Sequence, residues 1–269
     1  MYDQWVEEVE SGLIVGVMMI DLSAAFDMVD HELLLQKLKL FGMDVQALRW
    51  VESYLTSRYQ SVYVDGCLSP PQLVECGVPQ GSILGPLFYI LYTHDIPDLV
   101  HDHPVSCRFP VPYCKECGST VCYVDDCTFS YGHTEPALLS EKLTTQYRII
   151  SDYMAANRLV IYSEKTHLVV MGTNTTARAE VSIRADQHTI RPTRIEKLLG
   201  GIICENLKWK EHIAGNDQSL QKQLTSRVNG LMIVAAKAPF DTRLSVANGI
   251  FMSKLCYLIQ LWGVLKDTS

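Results

Sequence analysis

The order of elements predicts an α+β fold, with helices backing one face of a mainly antiparallel sheet and a small helical bundle at the C-terminal end. Three observations carry that expectation. Residues 13–20 are almost wholly apolar with little alternation, the pattern of a strand buried on both sides and central in its sheet. Two consecutive aspartates, Asp125 and Asp126, stand at the tip of an apparent hairpin between Cys122-Tyr123-Val124 and Cys127-Thr128-Phe129-Ser130. Leu139, Leu143, Tyr147, Ile150 and Met154 stack on one face of a helix expected over residues 136–157.

The remaining elements follow in chain order. Asp30 is an N-cap with Glu32 close behind, and Leu33, Leu34, Lys37, Leu38 and Phe41 keep helical spacing up to Gly42. Asp44 caps a second helix holding Leu48, Val51, Tyr54 and Leu55. Residues 61–64 run into the turn dipeptide Asp65-Gly66, which predicts a short strand pair before Glu75. A Gly/Pro-punctuated loop, residues 77–82, leads into an apolar helix expected over about 83–100. The stretch of about 101–120 is rich in Pro, Cys and His and has neither period. Short strands are expected at 167–171, 181–184 and 198–204, and two or three helices from 209 to about 262. There is no internal repeat and no low-complexity segment.

Composition narrows the class of protein. A chain of 269 residues with 48% hydrophobic content can bury a sizeable core. The apolar runs 13–20 and 83–92 are too short to cross a bilayer, and no secretory leader opens the chain, so an intracellular protein of nucleus or cytoplasm with no membrane partner is expected. Nine cysteines, an odd number, suit reduced thiols better than a disulfide framework. The net charge of −7 is unfavourable for holding a polyanion, but it is unevenly placed. Residues 205–269 carry eight Lys/Arg against five Asp/Glu, which makes the C-terminal segment the better nucleic-acid surface.

Adjacent carboxylates at a tight turn repel each other and weaken the flanking strands, a cost that a divalent cation removes. A third carboxylate, Asp21, ends the first buried strand. If that strand lies beside the Asp-Asp hairpin, the three converge on an oxygen-rich site suited to Mg²⁺ and to phosphoryl or nucleotidyl transfer.

Three ordered runs then match a family. Asp21-Leu22-Ser23-Ala24-Ala25-Phe26-Asp27, Gly77-Val78-Pro79-Gln80-Gly81-Ser82-Ile83-Leu84-Gly85-Pro86 and Tyr123-Val124-Asp125-Asp126 resemble motifs of reverse transcriptases, the non-LTR retrotransposon branch in particular. Asn157-Arg158-Leu159, Lys165-Thr166, Leu198-Leu199-Gly200, Leu207-Lys208-Trp209 and His212-Ile213 are similar to that branch's later segments, so the resemblance covers nearly the whole chain. It implies a polymerase palm over residues 1–207, with a Cys-rich insertion at about 101–120, and a helical thumb-like segment over 208–269. It also implies RNA-directed DNA polymerase activity on an RNA template, a DNA primer and dNTPs.

The resemblance further implies the roles. Asp21 and Asp125 would bridge two Mg²⁺ ions, with Asp126 helping to position them and the Leu22 carbonyl as an extra ligand. Phe26 would sit under the incoming sugar and exclude a 2′-hydroxyl. Gln80 would contact the nucleotide, Gly81 would let the template base stack nearby, and Lys165 would lie near the triphosphate. Lys222, Arg227 and Lys254 would track the duplex backbone without reading sequence.

Two departures stand out: Tyr162 occupies a position where Asn is expected, and only about twenty residues precede Asp21, where the family's basic fingers belong. No endonuclease module is recognised. The alternative reading is an inactive remnant that binds nucleic acid or protein. Phe26 disfavours an RNA-templated RNA polymerase, and a metal-dependent nuclease has no need of the Phe26 and Gln80-Gly81 pair. Separately, Cys107, Cys114, Cys117 and Cys122 have spacing that could complete a Zn²⁺ site, against reduced thiols. The sequence leaves the oligomeric state open.

Overall fold

The computed structural model describes residues 1–22, 24–100, 118–185, 188–235 and 239–262. The chain opens with helix α1 (Tyr2–Glu10) and strand β1 (Ile14–Asp21), then α2 (His31–Leu40) and α3 (Val45–Leu55). Four two-residue strands follow: β2 (Tyr59–Gln60), β3 (Tyr63–Val64), β4 (Cys67–Leu68) and β5 (Gln72–Leu73). After α4 (Leu84–Tyr92) come β6 (Ser119–Tyr123), β7 (Asp126–His133), α5 (Pro136–Ala156), β8 (Thr166–Met171) and α6 (Thr175–Glu180). Next are β9 (Ile183–Ala185), β10 (His188–Ile190), β11 (Pro192–Thr193), β12 (Ile195–Leu198) and β13 (Gly201–Cys204). The C-terminal helices are α7 (Leu220–Ala235), α8 (Phe240–Ala247), α9 (Ser253–Cys256) and α10 (Ile259–Trp262).

One five-stranded sheet, in the order β11-β8-β1-β7-β6, organises the molecule. Strand β1 is its middle strand and pairs antiparallel with β7 on one side and β8 on the other. Its position explains its composition, because seven consecutive residues from Ile14 are buried and a polar side chain would have no water to meet. Ile14, Met18 and Ile20 point to the helix-covered face, where they join Leu34 and Leu38 of α2, Tyr89 and Tyr92 of α4, and Leu139 and Leu143 of α5. Helix α5 comes so close that a Cβ on Gly16 would lie 2.6 Å from Leu143 Cδ1.

The opposite face is also covered, as expected of a strand buried on both sides, although the sequence placed helices on one face only. Val15, Val17 and Met19 pack with Trp5 of α1, Val169 and Met171 of β8, and Ile203 of β13. The second cluster exists because β1 has apolar side chains on both of its faces and each must leave water.

Helix caps fall where the sequence places them: Asp30 accepts the Leu33 N–H at 2.9 Å, and Asp44 accepts the N–H groups of Gln46 and Ala47. Asp65 and Gly66 form the β3–β4 turn. Two expectations are corrected. The helix expected over 83–100 ends at Tyr92 and resumes only as a 3₁₀ turn at Ile96–Val100, because Pro97 has no N–H to continue the ladder. The single strand expected over 198–204 is the second half of a hairpin, β12–β13, which turns at Leu199 and Gly200, both left-handed.

The break after α4 places Asp95 in a small polar network. Lys37 donates to the Tyr92 carbonyl at 2.5 Å and to Asp95 at 3.2 Å, and the Tyr153 hydroxyl also donates to Asp95. Burial alone would raise the Asp95 pKa, but the Tyr153 hydrogen bond and the Lys37 ammonium outweigh it and hold the carboxyl below its usual range. Asp95→Asn should therefore cost about 1–2 kcal/mol in urea unfolding at neutral pH. A depressed folded-state pKa contributes stability above the unfolded pKa and loses it as pH falls through the folded one. The gap between wild type and variant should accordingly hold at neutral pH and narrow once pH falls below the ordinary carboxylate value, and a gap that stays constant far below that value would contradict the ion pair.

The C-terminal helices lean on the β12–β13 hairpin: the Tyr257 hydroxyl donates to the Leu199 carbonyl, and Leu258 packs where Gly201 lacks a Cβ. By length and composition the helical run Phe240–Leu261 could reach across a bilayer, a run the sequence reading did not single out. Here it bends at a left-handed Leu258 and carries Arg243 and Lys254.

Candidate active site

The register of β1 against β7 makes Asp21 and Asp126 direct partners across the ladder. Such partners have Cα atoms about 4.5–5.5 Å apart and side chains on the same face. One residue further on, the Leu22 N–H donates to the Asp125 carbonyl at 3.4 Å. Strands β6 and β7 pair from Tyr123 to Asp126, so the turn consists of Val124 and Asp125 alone. Val124 is left-handed, with φ 58°, a conformation that a β-branched residue resists and that the surrounding structure must impose.

Asp126 is pushed above the usual carboxylate range, first by burial and then by the charges of Asp125 and Asp21. The three acids therefore sense one another, as the sequence expectation required. They do not share one hollow. Asp125 lines a cleft of about 390 Å³ together with Phe26, Gln80 and Gly81. Asp21 and Asp126 line a second cleft, of about 230 Å³, with Lys165, His167, Lys197 and Leu199. Asp126 is the first residue of β7 and faces the side of Asp21, whereas Asp125 belongs to the turn, and the doublet divides between the two hollows.

The structure thus brings the expected nucleotide-contacting residues Phe26, Gln80 and Gly81 together with Asp125. Lys165 is placed on the other side, with Asp21 and Asp126. Its ammonium lies 5.7 Å from the centre of the Tyr162 ring, so the residue that departs from the family pattern gives Lys165 a cation–π contact.

The loop after β1 and the loop before α4 are joined by main-chain bonds. The Val78 N–H donates to the Phe26 carbonyl at 2.8 Å and the Gly77 N–H to the Val29 carbonyl at 2.7 Å. The buried His31 ring bonds the Gly77 carbonyl through Nε2 at 2.8 Å, and Gln80 Nε2 donates to both Asp27 oxygens at 3.0 Å. Gly77 has φ +89°, and a Cβ there would lie 2.8 Å from the Asp27 Cα and carbonyl oxygen. The Phe26 ring in turn packs on Tyr89 of α4, with centroids 4.9 Å apart. Asp27 and His31 were not assigned roles from sequence, although both stand within or just after the first motif. Lys197 was missed because its hairpin was read as a single strand.

Of the three cations expected on the C-terminal segment, Arg227 and Lys254 gather with Lys197. Burial, then Arg227 and Lys197, push the Lys254 ammonium below its ordinary pKa. Lys222 instead pairs with Asp217. Cys107, Cys114 and Cys117, and most of the Cys-rich insertion, lie outside the described residues. Cys122 faces the helix-covered core beside Cys127.

The donor chemistry fits Mg²⁺: three carboxylates and the Leu22 carbonyl are all hard oxygens. The Leu22 carbonyl accepts the Ala25 N–H at 3.3 Å and keeps its second lone pair. Among the described residues no three Asp, Glu, His or Cys side chains converge closely enough to form a metal cage by themselves. The arrangement is an open rim across which charged oxygen ligands from a substrate would complete the coordination.

A mainly antiparallel central sheet with an acidic doublet on a hairpin beside a third aspartate has the layout of a polymerase palm. The family described as "Reverse transcriptase (RNA-dependent DNA polymerase)" matches residues 9–210, and the chain belongs to that family. Its relatives place it with the non-LTR retrotransposon branch. It is 27% identical over 263 residues to the RNA-directed DNA polymerase from mobile element jockey of Drosophila funebris, covering 97% of this chain and 27% of the relative. Over 79 residues, 29% of this chain and 8% of the relative, it is 43% identical to the probable RNA-directed DNA polymerase from transposon BS of Drosophila melanogaster. The chain thus spans about a quarter of the jockey protein. Among solved structures, telomerase from Candida albicans, in complex with a fragment of telomeric RNA, superposes with a TM-score of 0.51 at 13% identity, covering 96% of this chain and 44% of that one. That likeness supports the palm-like α+β fold. Members of the family generally use Mg²⁺.

Proposed function

We propose that this chain is the palm and partial thumb of an RNA-directed DNA polymerase that adds deoxynucleotides to a primer 3′-hydroxyl on an RNA template. The observation that carries the reading is the direct pairing of Asp21 with Asp126 beside two clefts divided by the acidic hairpin. The incoming nucleotide belongs in the Phe26–Gln80 cleft, where the aromatic ring leaves neither space nor a hydrogen-bond partner for a 2′-hydroxyl. The primer end belongs in the cleft of Asp21 and Asp126, with Lys165 and Lys197 offsetting phosphate charge. Arg227 and Lys254 carry further positive charge next to Lys197 on the C-terminal helices.

Asp21, Asp125 and Asp126, with the Leu22 carbonyl, would hold two Mg²⁺ ions, whose chemistry is to acidify the attacking hydroxyl and neutralise the departing pyrophosphate. The protein's own part is to align the two substrates across the hairpin tip and to keep the sugar pocket rigid through the Asp27–Gln80 and His31–Gly77 bonds. The test is primer extension on a homopolymer RNA template with Mg²⁺ and dNTP, by the chain alone and by a fusion supplying an upstream fingers segment from a relative. Template-dependent extension that Asp125→Asn abolishes is expected. A folded fusion no more active than its Asp125→Asn variant would overturn the proposal.

A further inference from the structure

Cys122 and Cys127 occupy directly opposite positions of the β6–β7 ladder, one rung from the turn that carries the acidic doublet. Their sulfur atoms are 2.9 Å apart, closer than two unbonded sulfurs at ordinary van der Waals contact. Opposed residues in an antiparallel pair have Cα atoms about 4.5–5.5 Å apart, inside the span of about 4.4–6.8 Å that a disulfide accepts. Bridging the pair therefore needs no change of register. Cys127 is buried, whereas Cys122 is half-buried and offers the approach for a small oxidant. The other described cysteines, Cys67, Cys76, Cys204 and Cys256, sit on other parts of the fold.

We propose that Cys122 and Cys127 form an oxidisable dithiol, a modification site for two-electron oxidants such as hydrogen peroxide or glutathione disulfide, and that the resulting cross-strand disulfide locks the acidic hairpin. With peroxide, the Cys122 thiolate attacks one oxygen, the O–O bond breaks, and a sulfenic acid and one water result. The Cys127 sulfur then displaces hydroxide from that sulfenic acid, the S–S bond forms, and the hydroxide leaves as a second water with the Cys127 proton. Two thiols lose two electrons and two protons in all, and one peroxide becomes two waters. With glutathione disulfide the route is a mixed disulfide followed by exchange, releasing two glutathione thiols. The bond draws the sulfurs to about 2.0 Å and fixes the rung beneath Val124, Asp125 and Asp126. The doublet then loses freedom to adjust against Asp21. The covalent chemistry is independent of the polymerase reading, and its effect on extension rests on that reading.

The purified full chain is treated with hydrogen peroxide or glutathione disulfide, alkylated, digested and weighed by mass spectrometry. The peptide spanning both cysteines should escape alkylation, be lighter by two hydrogens than its reduced form, and return to two alkylated thiols after dithiothreitol. Cys127→Ser should instead leave a Cys122 sulfenic acid that dimedone traps. Both thiols still alkylated after treatment, or pairing of either with a different cysteine, would overturn the site. In an active fusion, oxidation should lower extension at least tenfold, reversibly, and a Cys122→Ser/Cys127→Ser double variant should keep its activity through the same treatment. A disulfide that forms without slowing an active fusion would overturn the lock. If no fusion extends a primer, the polymerase reading fails while the mass measurement still decides the dithiol.

Discussion

Asp21→Asn should abolish the proposed primer extension, a loss on the order of 10³-fold, or about 4 kcal/mol of transition-state stabilisation. The side chain keeps its size, so β1 stays paired with β7 and thermal unfolding should hold within a few degrees. What disappears is one anionic ligand at the rim, which no neighbour on the same face of β1 can replace, since Met19 is the next residue there. A second signature separates this loss from misfolding. Asp126 is pushed up partly by the charge of Asp21, so its carboxyl should titrate at lower pH in the variant when followed by carbon NMR. In the wild type the same raised pKa implies that the Mg²⁺ needed for half-maximal extension grows as pH falls toward it, because a carboxyl must lose its proton to ligate a metal. An Asp126 titration unmoved by Asp21→Asn would refute the shared site.

Gly77→Ala should be nearly as damaging, through the backbone. Its Cβ would meet the Asp27 Cα and carbonyl oxygen at 2.8 Å, and neither atom can swing aside as a side-chain tip could. The φ of +89° adds a cost of order 1 kcal/mol or more for any residue with a Cβ. Relief requires the two loops to part, which breaks the bonds from Gly77 to Val29 and from Val78 to Phe26 and leaves His31 without its carbonyl partner. We expect a stability loss of about 2–4 kcal/mol and a KM for dNTP raised more than kcat is lowered. The sugar pocket should also loosen, seen as a smaller preference for dNTP over rNTP. A variant with unchanged stability and unchanged discrimination would show that the loops are not mechanically joined.

Much of this architecture is legible in the chain because the central strand announces itself: an unbroken apolar run has few places to go in a folded domain. The α5 stripe from Leu139 to Met154, all of it buried, was equally plain, as were the caps at Asp30 and Asp44. Local pattern failed where meaning depends on distant partners. The hairpin at Leu199-Gly200 looked like one strand because Leu198 runs directly into the apolar second arm and the left-handed Leu199 carries no sequence signal. Helix α1 was missed, so what covers the second face of the central strand was not identified, because that role rests mainly on Trp5. At the site the motifs pointed to Asp21, Asp125, Asp126, Phe26 and Gln80, which the structure places around the hairpin tip. They gave no hint that Asp27 would hold Gln80, since 53 residues separate the two.

The split of Asp125 and Asp126 between two hollows has a consequence for tolerance to insertions. Side chains along a ladder alternate with a period of two, so a one-residue slip of β7 against β1 should turn Asp126 away from the side it shares with Asp21. We expect hairpin length to obey a parity rule: a pair of added residues could be absorbed beyond the tip, but an odd number should take Asp126 off the face it shares with Asp21.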